Sequence, residues 1–374
     1  MPYRRPAWVE VDASAIEHNV RTLKALTPPS TRFLAVVKAD GYGHGAEAVA
    51  RAALRGGAEG LGVATTDEAL ALRGAGVRVP LLVLGEPPVD AAEILVREGI
   101  AVALTSREMA AALSRAATSV DTRAICHLKI DTGMHRIGVP AEKAGDFAQW
   151  LKGLPGLAVD GVFTHFATAD VPGDWDFESQ MTSFGRALDD VRAGGVHPGI
   201  AHAANSAATI LHPETHLDMV RCGIAIYGLD ASHSTRGRLS LRPAMSVRTR
   251  ISFVKRIGLG DGVSYGLTWH ASGPTTIATL PIGYADGVQR ILSNRMEVLI
   301  GGQRCKQVGR ICMDQLMVEV PPGVDAGVGD EVVIVGRQGA AAIAMGELSD
   351  IAGTIDYELA CGFALRMERR PAFS

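Results

Sequence analysis

The spacing of apolar and polar positions divides the chain into two parts with different rhythms. In the first part, eight mainly apolar runs have the length of strands that are buried on both faces. They lie at 33–37, 61–64, 81–84, 100–104, 124–130, 159–163, 199–203 and 217–220. Helical patterns separate most of them, at 44–54, 67–72, 91–96, 108–116, 141–151 and 178–191. This alternation favours an α/β fold with a (β/α)8 TIM-type barrel, although a doubly wound parallel sheet shares the same rhythm.

The first residues add a short strand and a helix before the first apolar run. Residues 8–11 alternate between apolar and polar side chains, as a half-buried strand does. Ser14 and Glu17 then have the spacing of a capping box, with Ser14 as the N-cap residue. Apolar residues at helical spacing follow from Ile16 onward, so we expect a helix to begin here.

Near residue 239 the helical patterns give way to strands. We expect strands at 245–254, 275–280, 297–300, 316–320 and 331–335, with glycine-aspartate turns among them. The chain is therefore predicted to form two domains, a barrel over residues 1–238 and a mainly-β domain over residues 239–374. A length of 374 residues also suits two hydrophobic cores better than one.

Composition and charge narrow the possible function classes. Hydrophobic residues make up 47% of the chain and charged residues 21%, which is the balance of a folded globular protein. A net charge of −3, without a run of lysines and arginines, provides no surface for nucleic acid or an anionic membrane. No apolar stretch approaches the roughly 18 residues of a membrane span. Residues 1–8 are not followed by the apolar core of a signal peptide.

The five cysteines are scattered along the chain, at positions 126, 222, 305, 312 and 361. Their odd number and irregular spacing argue against a disulfide framework. No pair has the C-x-x-C spacing of a zinc site, so we predict no metal. These features are typical of a reduced, cytoplasmic compartment.

Lys38 is the most informative candidate for chemistry, because it closes an apolar run. It stands in Ala35-Val-Val-Lys-Ala-Asp-Gly-Tyr-Gly-His-Gly45, so a glycine-rich turn and a helix follow it. In a barrel this position is the carboxyl end of a strand, where active sites lie. Burial there lowers a lysine pKa from about 10.4 and frees the amine to form a Schiff base. The spacing alone is equally consistent with a lysine at a strand end that extends its ammonium group into solvent and has no catalytic role.

The segment from Val36 to Gly45 resembles the cofactor-binding segment of alanine racemases, and further motifs extend the resemblance over nearly the whole chain. Those enzymes use pyridoxal 5′-phosphate, have a barrel followed by a β domain, and form head-to-tail homodimers. Many members have Asn-Ala where this chain has Asp40-Gly41. The resemblance implies that Lys38 forms the Schiff base with the cofactor and is also the base on one face of the substrate carbon.

Racemisation needs a second base on the opposite face, because the proton leaves one side of the carbon and returns on the other. Gly262-Val-Ser-Tyr-Gly266 resembles the family segment that supplies this base from the other subunit. The resemblance therefore implies Tyr265 as the second catalytic base. A free tyrosine has a pKa of about 10, so this role requires a nearby positive charge or a strong hydrogen-bond donor. Without the motif, a lone tyrosine in a β domain is more often a packing residue.

Two more motifs resemble family segments around the substrate. The segment Lys-Ile-Asp-Thr-Gly-Met-His-Arg implies that Arg136 hydrogen-bonds the phenolic oxygen of the cofactor and helps to place the substrate. It also implies that Lys129 is a possible carbamylated lysine, although many members have glycine where His135 stands. The segment Arg-Ile-Cys-Met-Asp-Gln implies that the backbone N–H of Met313 binds the substrate carboxylate from the partner subunit. Tyr284, in another matching motif, is expected to line a narrow entrance.

The rest of the implied cofactor site comes from the later barrel strands and the C-terminal domain. The resemblance implies contacts with the phosphate or the ring from Tyr42, His165 and Tyr357. Barrels often bind phosphate with the loops after the seventh and eighth strands, which adds Asn205, Ser206, Gly223 and Ile224 as candidates. Arg221 matches the arginine opposite the pyridine nitrogen, and His202 is a candidate to hold it in place. Because arginine only donates hydrogen bonds, it disfavours a protonated ring nitrogen and discourages transamination.

The resemblance implies the interconversion of L-alanine and D-alanine by two bases, which supplies D-alanine for peptidoglycan. A barrel-type pyridoxal-phosphate decarboxylase would share Lys38, but related decarboxylases place a carboxylate where Arg221 stands. A cofactor carrier without enzymatic activity would be a single barrel, which leaves residues 239–374 without a role. A broader racemase that also accepts serine differs in side-chain packing, which the sequence does not reveal.

Overall fold

Eight parallel strands form the barrel that the sequence predicts. The structure is a computed structural model, and it describes residues 5–171, 173, 175–363 and 365–372. The barrel strands are Arg32–Val36, Gly60–Val63, Leu81–Val83, Ala101–Leu104, Ala124–Asp131, Leu157–Phe163, Ile200–His202 and Met219–Cys222. The parallel ladder runs from the eighth strand to the first and on to the seventh. Backbone N–H groups of Asp218 and Arg221 then bond the carbonyl oxygens of Ala201 and Ala204, which joins the eighth strand to the seventh.

Because the last strand pairs with the first, the barrel is confirmed and a doubly wound sheet is excluded. Helices outside the strands are Ala46–Arg55, Thr66–Gly74, Ala92–Arg97, Arg107–Ser119, Ala144–Leu151, Trp175–Ala193 and Ser206–Leu211. Strand residues such as Phe33 and Leu61 are fully buried between the barrel interior and these helices. This double burial explains why the predicted strands appear in the sequence as nearly continuous apolar runs.

The prediction that Ser14 caps the first helix is wrong. The helix spans Ala13–Lys24, and its N-cap is Asp12. The Asp12 carboxylate accepts hydrogen bonds from the backbone N–H groups of Ser14 and Ala15, at 2.8 and 3.0 Å. Aspartate caps a helix as well as serine does, so the capping-box spacing misplaced the start by two residues. Glu17 lies on the helix surface and pairs with arginine side chains.

The second part of the chain is mainly β, as predicted. Its large sheet contains Met245–Arg250, Phe253–Ile257, Thr275–Leu280, Glu297–Ile300, Gln303–Val308, Leu316–Val320, Glu331–Gln338, Ala341–Ile343 and Glu368–Pro371. Gly262–Val263 pairs with Trp269–His270 in a separate two-stranded sheet. Helices Met345–Ala352 and Asp356–Gly362 follow near the end of the chain. The single strand predicted at 245–254 is two strands, because the chain leaves the sheet at residues 251–252.

The strand at the start of the chain belongs to the C-terminal sheet. Ala7–Val11 pairs antiparallel with Met245–Arg250 and parallel with Glu368–Pro371. The region predicted as the barrel domain, residues 1–238, therefore gives its first strand to the sheet of the other domain. This strand ties the two parts together directly before the helix Ala13–Lys24. Within the described residues, no helix combines the length and hydrophobicity needed to cross a bilayer.

Candidate active site

A cavity of about 660 Å³ opens at the carboxyl ends of the barrel strands, where barrel enzymes have their active sites. The structure brings together in its wall every residue that the sequence assigned to the cofactor, together with Lys129: Lys38, Tyr42, Lys129, Arg136, His165, Asn205, Ser206, Arg221, Gly223, Ile224 and Tyr357. These residues come from six separate segments of the chain, and the closed barrel with the C-terminal helix Asp356–Gly362 makes them neighbours.

Lys38 lies two residues after the end of the first barrel strand, at the start of an unusual turn. Residues 39–43 all have positive φ, between 51° and 79°, so the backbone winds in the left-handed sense. Two carboxylates hold this turn: Glu68 accepts the N–H of Ala39 at 2.7 Å, and Asp40 accepts the N–H of Ala46 at 2.8 Å. Burial lowers the pKa of Lys38, and the positive charge of Arg136 lowers it further. The turn therefore presents an amine that loses its proton more readily than an exposed lysine does.

Polar groups after the seventh and eighth barrel strands build a cradle for an anion. The hydroxyl oxygen of Ser206 accepts the N–H of Gly223 at 2.9 Å, which places these two groups side by side. A Cβ on residue 223 would lie 2.6 Å from the hydroxyl oxygen of Tyr42, so glycine is required for this approach. Burial raises the pKa of Tyr42 and of Tyr357, so both hydroxyls keep their protons as donors. Asn205 caps the following helix by accepting the N–H of Ala208 at 2.9 Å.

Arg221 is a buried hydrogen-bond donor in the cavity wall. Its guanidinium donates to the carbonyl oxygens of Thr164 and Ala203, at 2.8 and 3.0 Å, and to a ring nitrogen of His202 at 3.0 Å. Burial lowers the pKa of Arg221 to about 10, which leaves the group charged at neutral pH. His165 lies 3.3 Å from the same guanidinium. Burial, then Arg221, lowers the pKa of His165 well below its usual value, so this imidazole is neutral.

Lys129 and Arg136 lie near the two ends of one loop. Asp131 shapes the loop, since its carboxylate accepts the N–H groups of Gly133 and His135 at 3.1 and 3.0 Å. Lys129 is buried, and its ammonium group lies 5.4 Å from the ring centre of Phe163. Burial, with positive charges beside it, lowers the pKa of Lys129 to about 8. Burial and the neighbouring guanidinium charges therefore disfavour the cationic form of this amine.

Tyr265, Tyr284 and Met313 lie outside this cavity, on a surface of the C-terminal domain that we call the donor face. Their exposed fractions are 71%, 41% and 53%. Backbone bonds hold two of the segments together: the N–H of Tyr284 donates to the carbonyl oxygen of Cys312 at 3.0 Å. The hydroxyl of Ser264 donates to the carbonyl oxygen of Arg310 at 2.6 Å, which brings in the segment that carries Tyr265. The three motifs thus converge on one face, but not on the cavity of their own chain.

The cavity wall also contains residues that sequence reasoning did not assign to the site, among them Phe163, Asp170 and Cys361. Phe163 ends the sixth barrel strand and lies under the guanidinium of Arg221, 5.3 Å from ring centre to carbon. Cys361 lies four residues after Tyr357 on the helix Asp356–Gly362, a spacing that puts both side chains on one face. That spacing was the available signal for Cys361, whereas Asp170 lies in a loop with no pattern of its own.

The fold and the site together define a two-domain barrel enzyme. In its cavity the Lys38 amine lies in the same wall as the anion-binding groups of Ser206 and Gly223. The chain matches the family models described as alanine racemase, N-terminal domain, over residues 11–231 and alanine racemase, C-terminal domain, over residues 244–371. It therefore belongs to the alanine racemase family.

Close relatives support this membership over the full length. The chain is 47% identical to the alanine racemase of Symbiobacterium thermophilum, over 98% of this chain and 97% of that one. It is 45% identical to the alanine racemase of Desulfovibrio desulfuricans, over 98% of each. The solved alanine racemase of Streptomyces lavendulae superimposes with a TM-score of 0.95 at 35% identity, covering 100% of this chain and 98% of that one. That of Bacillus anthracis, solved with bound L-Ala-P, gives 0.93 at 38% identity, covering 100% and 97%.

Proposed function

We propose that this chain is an alanine racemase that binds pyridoxal 5′-phosphate and interconverts L-alanine and D-alanine for peptidoglycan synthesis. One observation carries the proposal: a single cavity brings the Lys38 amine together with the Arg221 donor and the anion cradle. Membership of the alanine racemase family supports the choice of reaction and substrate.

The residues that line the cavity suit this cofactor. Its phosphate fits the cradle of Ser206, Gly223 and the two protonated tyrosine hydroxyls. Four cationic side chains, Lys38, Lys129, Arg136 and Arg221, line the cavity, whereas Asp170 is the one carboxylate among its described lining residues. An excess of positive charge around a buried cavity favours an anionic ligand. When bound, the cofactor supplies an electron-withdrawing ring that makes the α-proton of an amino acid acidic.

The side chains of this chain have distinct roles in the proposed reaction. The Lys38 amine attaches the cofactor and moves a proton on one face of the substrate carbon, for which its lowered pKa suits it. Arg136 orients the substrate from the loop that Asp131 holds. Arg221 offers only N–H donors, so a cofactor ring nitrogen held beside it would remain an acceptor, and the ring would withdraw electrons less strongly. A ring that withdraws electrons less strongly favours return of the proton to the α-carbon over transamination.

The second base is proposed to come from another copy of the chain. Tyr265 and the backbone N–H of Met313 lie on the donor face, outside the cavity of their own chain. Exposed apolar and aromatic side chains on one face are typical of a surface that meets a partner. A head-to-tail homodimer would insert the donor face of one chain into the cavity of the other. Tyr265 then moves the proton on the second face of the carbon, and Met313 binds the substrate carboxylate.

A decarboxylase of the same barrel type is the second candidate. Such an enzyme needs a strongly electron-withdrawing ring, which a carboxylate opposite the ring nitrogen provides. Among the residues that the structure describes, Arg221 has carbonyl oxygens and two histidines as its hydrogen-bond partners, and none of these partners is a carboxylate. This arrangement favours the racemase.

The attachment of the cofactor to Lys38 is testable by chemical mapping. We expect borohydride reduction of the cofactor-loaded protein, followed by digestion, to give one labelled peptide that contains Lys38. Lys38→Ala should lose both this label and racemase activity, because the turn at residues 39–43 presents the Lys38 amine to the cavity. Lys255→Ala changes an exposed lysine of the C-terminal domain and serves as the matched control. A label that persists in Lys38→Ala would contradict the proposal.

A further inference from the structure

Three buried side chains, Arg221, His202 and His127, are linked in a row by hydrogen bonds through the interior of the barrel. The row leads away from the active-site cavity. A guanidinium nitrogen of Arg221 lies 3.0 Å from Nδ1 of His202, and Nε2 of His202 lies 2.8 Å from Nδ1 of His127. The exposed fractions of the three residues are 4%, 0% and 6%. Water therefore does not compete for these bonds. His127 also lines a cavity of about 70 Å³ toward the other end of the barrel.

Because arginine only donates, the direction of both hydrogen bonds, from Arg221 to His202 and from His202 to His127, can be assigned. Arg221 can only donate, so Nδ1 of His202 must accept and carries no proton. The proton of neutral His202 is therefore on Nε2, which donates to Nδ1 of His127. Burial lowers the pKa of His127 to about 4 and that of His202 well below its usual value, so both rings are neutral near pH 7. Each histidine thus has one defined tautomer.

The surrounding residues make room for this arrangement. The ring of Phe163 stacks on that of His202, with centres 4.7 Å apart and planes 4° apart. Gly161 is paired with His127 across two barrel strands, and the ladder is irregular at this point. A Cβ on residue 161 would overlap the imidazole of His127. The sixth strand therefore accommodates His127 only because residue 161 has no side chain.

We propose that His127 is a positioning residue that determines reaction specificity by fixing the tautomer of His202 and, through it, the orientation of Arg221. This inference rests on the proposed function. Without an acceptor at position 127, the Nε2–H of His202 would be buried without a partner, and this cost favours the tautomer that carries the proton on Nδ1. A proton on Nδ1 would oppose the N–H of Arg221. The guanidinium would then lose one of its partners and the fixed position from which it restrains the cofactor.

The expected consequence of a displaced Arg221 is transamination of alanine as a side reaction. One molecule of alanine and one of pyridoxal phosphate give one of pyruvate and one of pyridoxamine phosphate. The amino group moves to the cofactor, and the two electrons of the α-C–H bond reduce the aldehyde carbon of the cofactor. The ratio of pyruvate formed to alanine racemised therefore reports on Arg221, whereas a general loss of folding lowers both rates together.

Two substitutions at position 127 separate hydrogen bonding from packing. His127→Leu fills the space but offers no acceptor, and we expect it to raise the ratio of pyruvate to racemised alanine roughly tenfold. His127→Asn keeps an oxygen that accepts from Nε2 of His202, and its ratio should stay near that of the unchanged protein. Equal ratios for the two variants would overturn the proposal, because the residue would then act by packing alone.

A second pair of variants reaches the same bond without altering either histidine. Gly161→Ala displaces the His127 ring and should also raise the ratio. Gly199→Ala is the matched control, since its added methyl group meets no atom closer than 3.9 Å. In a protein that already carries His202→Leu, adding His127→Leu should not change the ratio of pyruvate to racemised alanine further, because the effect of His127 passes through His202. An unchanged ratio in both His127→Leu and Gly161→Ala, or additive effects with His202→Leu, would overturn the proposal.

Nitrogen NMR of the histidine rings tests the tautomer without any catalysis. With ¹⁵N-labelled histidine, the unchanged protein should show His202 protonated on Nε2 alone, and His127→Leu should shift this proton toward Nδ1. The same spectrum in both proteins would refute the role of His127. Failure of the unchanged protein to racemise alanine would instead refute the proposed function, and the ring spectra would still decide the tautomer.

Discussion

Lys129 is a buried amine that lies among positive charges. Its amine is buried beside Arg221 and Arg136, and its pKa is lowered to about 8. A neutral amine is a nucleophile for dissolved carbon dioxide, and the resulting carbamate is an anion that would offset the two guanidinium charges. The possible carbamylation of Lys129 therefore has a physical basis in burial and charge.

We predict that Lys129 takes up labelled carbon dioxide. In ¹³C-bicarbonate, the protein should show a carbamate carbon resonance that grows as the pH rises through about 8, since the amine loses its proton there. Lys129→Gln should remove this resonance, and Lys152→Gln, which changes an exposed lysine, should keep it. A resonance that survives in Lys129→Gln would place the carbamate on another amine.

At the scale of single residues, sequence reasoning found the side chains that belong to motifs and missed those defined by neighbours in space. Lys38 could be found because it ends an apolar run. The role proposed for His127 could not, because it depends on His202, which is 75 residues away in sequence and reached only across the barrel. The cap of the first helix was misplaced because Asp12 and Ser14 are both good cap residues.

At the scale of elements, the left-handed turn at residues 39–43 is the most specialised feature of the backbone. A residue with a side chain is sterically strained in this left-handed conformation, whereas glycine is not. The chain has glycine at only two of the five positions. The carboxylates of Glu68 and Asp40 compensate by bonding the backbone. Gly43 also packs against the carbonyl oxygen of Ala360 in the helix Asp356–Gly362, so the turn links the barrel to the C-terminal domain.

We predict that Gly43→Ala weakens both folding and cofactor binding. The new methyl group would overlap the carbonyl oxygen of Ala360 in a backbone already at φ 79°, and we expect a loss of about 3 kcal/mol in the free energy of unfolding. Gly76→Ala is the control: it has φ 85° but open space around it, so about 1 kcal/mol is expected. Denaturant unfolding of both variants measures the difference, and equal losses would contradict this account of the turn.

The elements themselves were predictable to different degrees in the two domains. Barrel strands are buried on both faces, so their apolar runs stand out, as at Leu81–Val83. Strand Gln303–Val308 was missed because four of its six residues are Gln, Arg or Lys, which leaves little apolar alternation. The pairing of Ala7–Val11 with the C-terminal sheet was also hidden, since partners far apart in sequence leave no local pattern.

At the scale of the whole molecule, the proposed active site is divided between two chains. The cavity holds the cofactor residues, and the donor face carries Tyr265 and Met313. A single chain would bind the cofactor and move a proton on one face of the substrate only. The homodimer is therefore a requirement of the chemistry in this account and not merely a source of stability.

We predict that two inactive variants restore activity when they share a dimer. Lys38→Ala lacks the first base and Tyr265→Ala lacks the second, so each alone should be inactive. Co-expression gives mixed dimers with one intact site, and random pairing predicts about a quarter of the wild-type activity. Activity of each purified variant alone is the control. No recovery in the mixture, although mixed dimers are present, would mean that Tyr265 does not act across the interface.

The central claim is that two bases on opposite faces racemise alanine. The most direct measurement is to incubate the cofactor-loaded protein with L-alanine in heavy water and to follow optical rotation together with deuterium at the α-carbon. The account predicts that rotation falls to zero while alanine is conserved, and that deuterium enters first in the D-alanine formed. Unchanged rotation without deuterium would contradict the claim that this chain racemises alanine. Early deuterium in L-alanine as well would contradict the assignment of two separate bases.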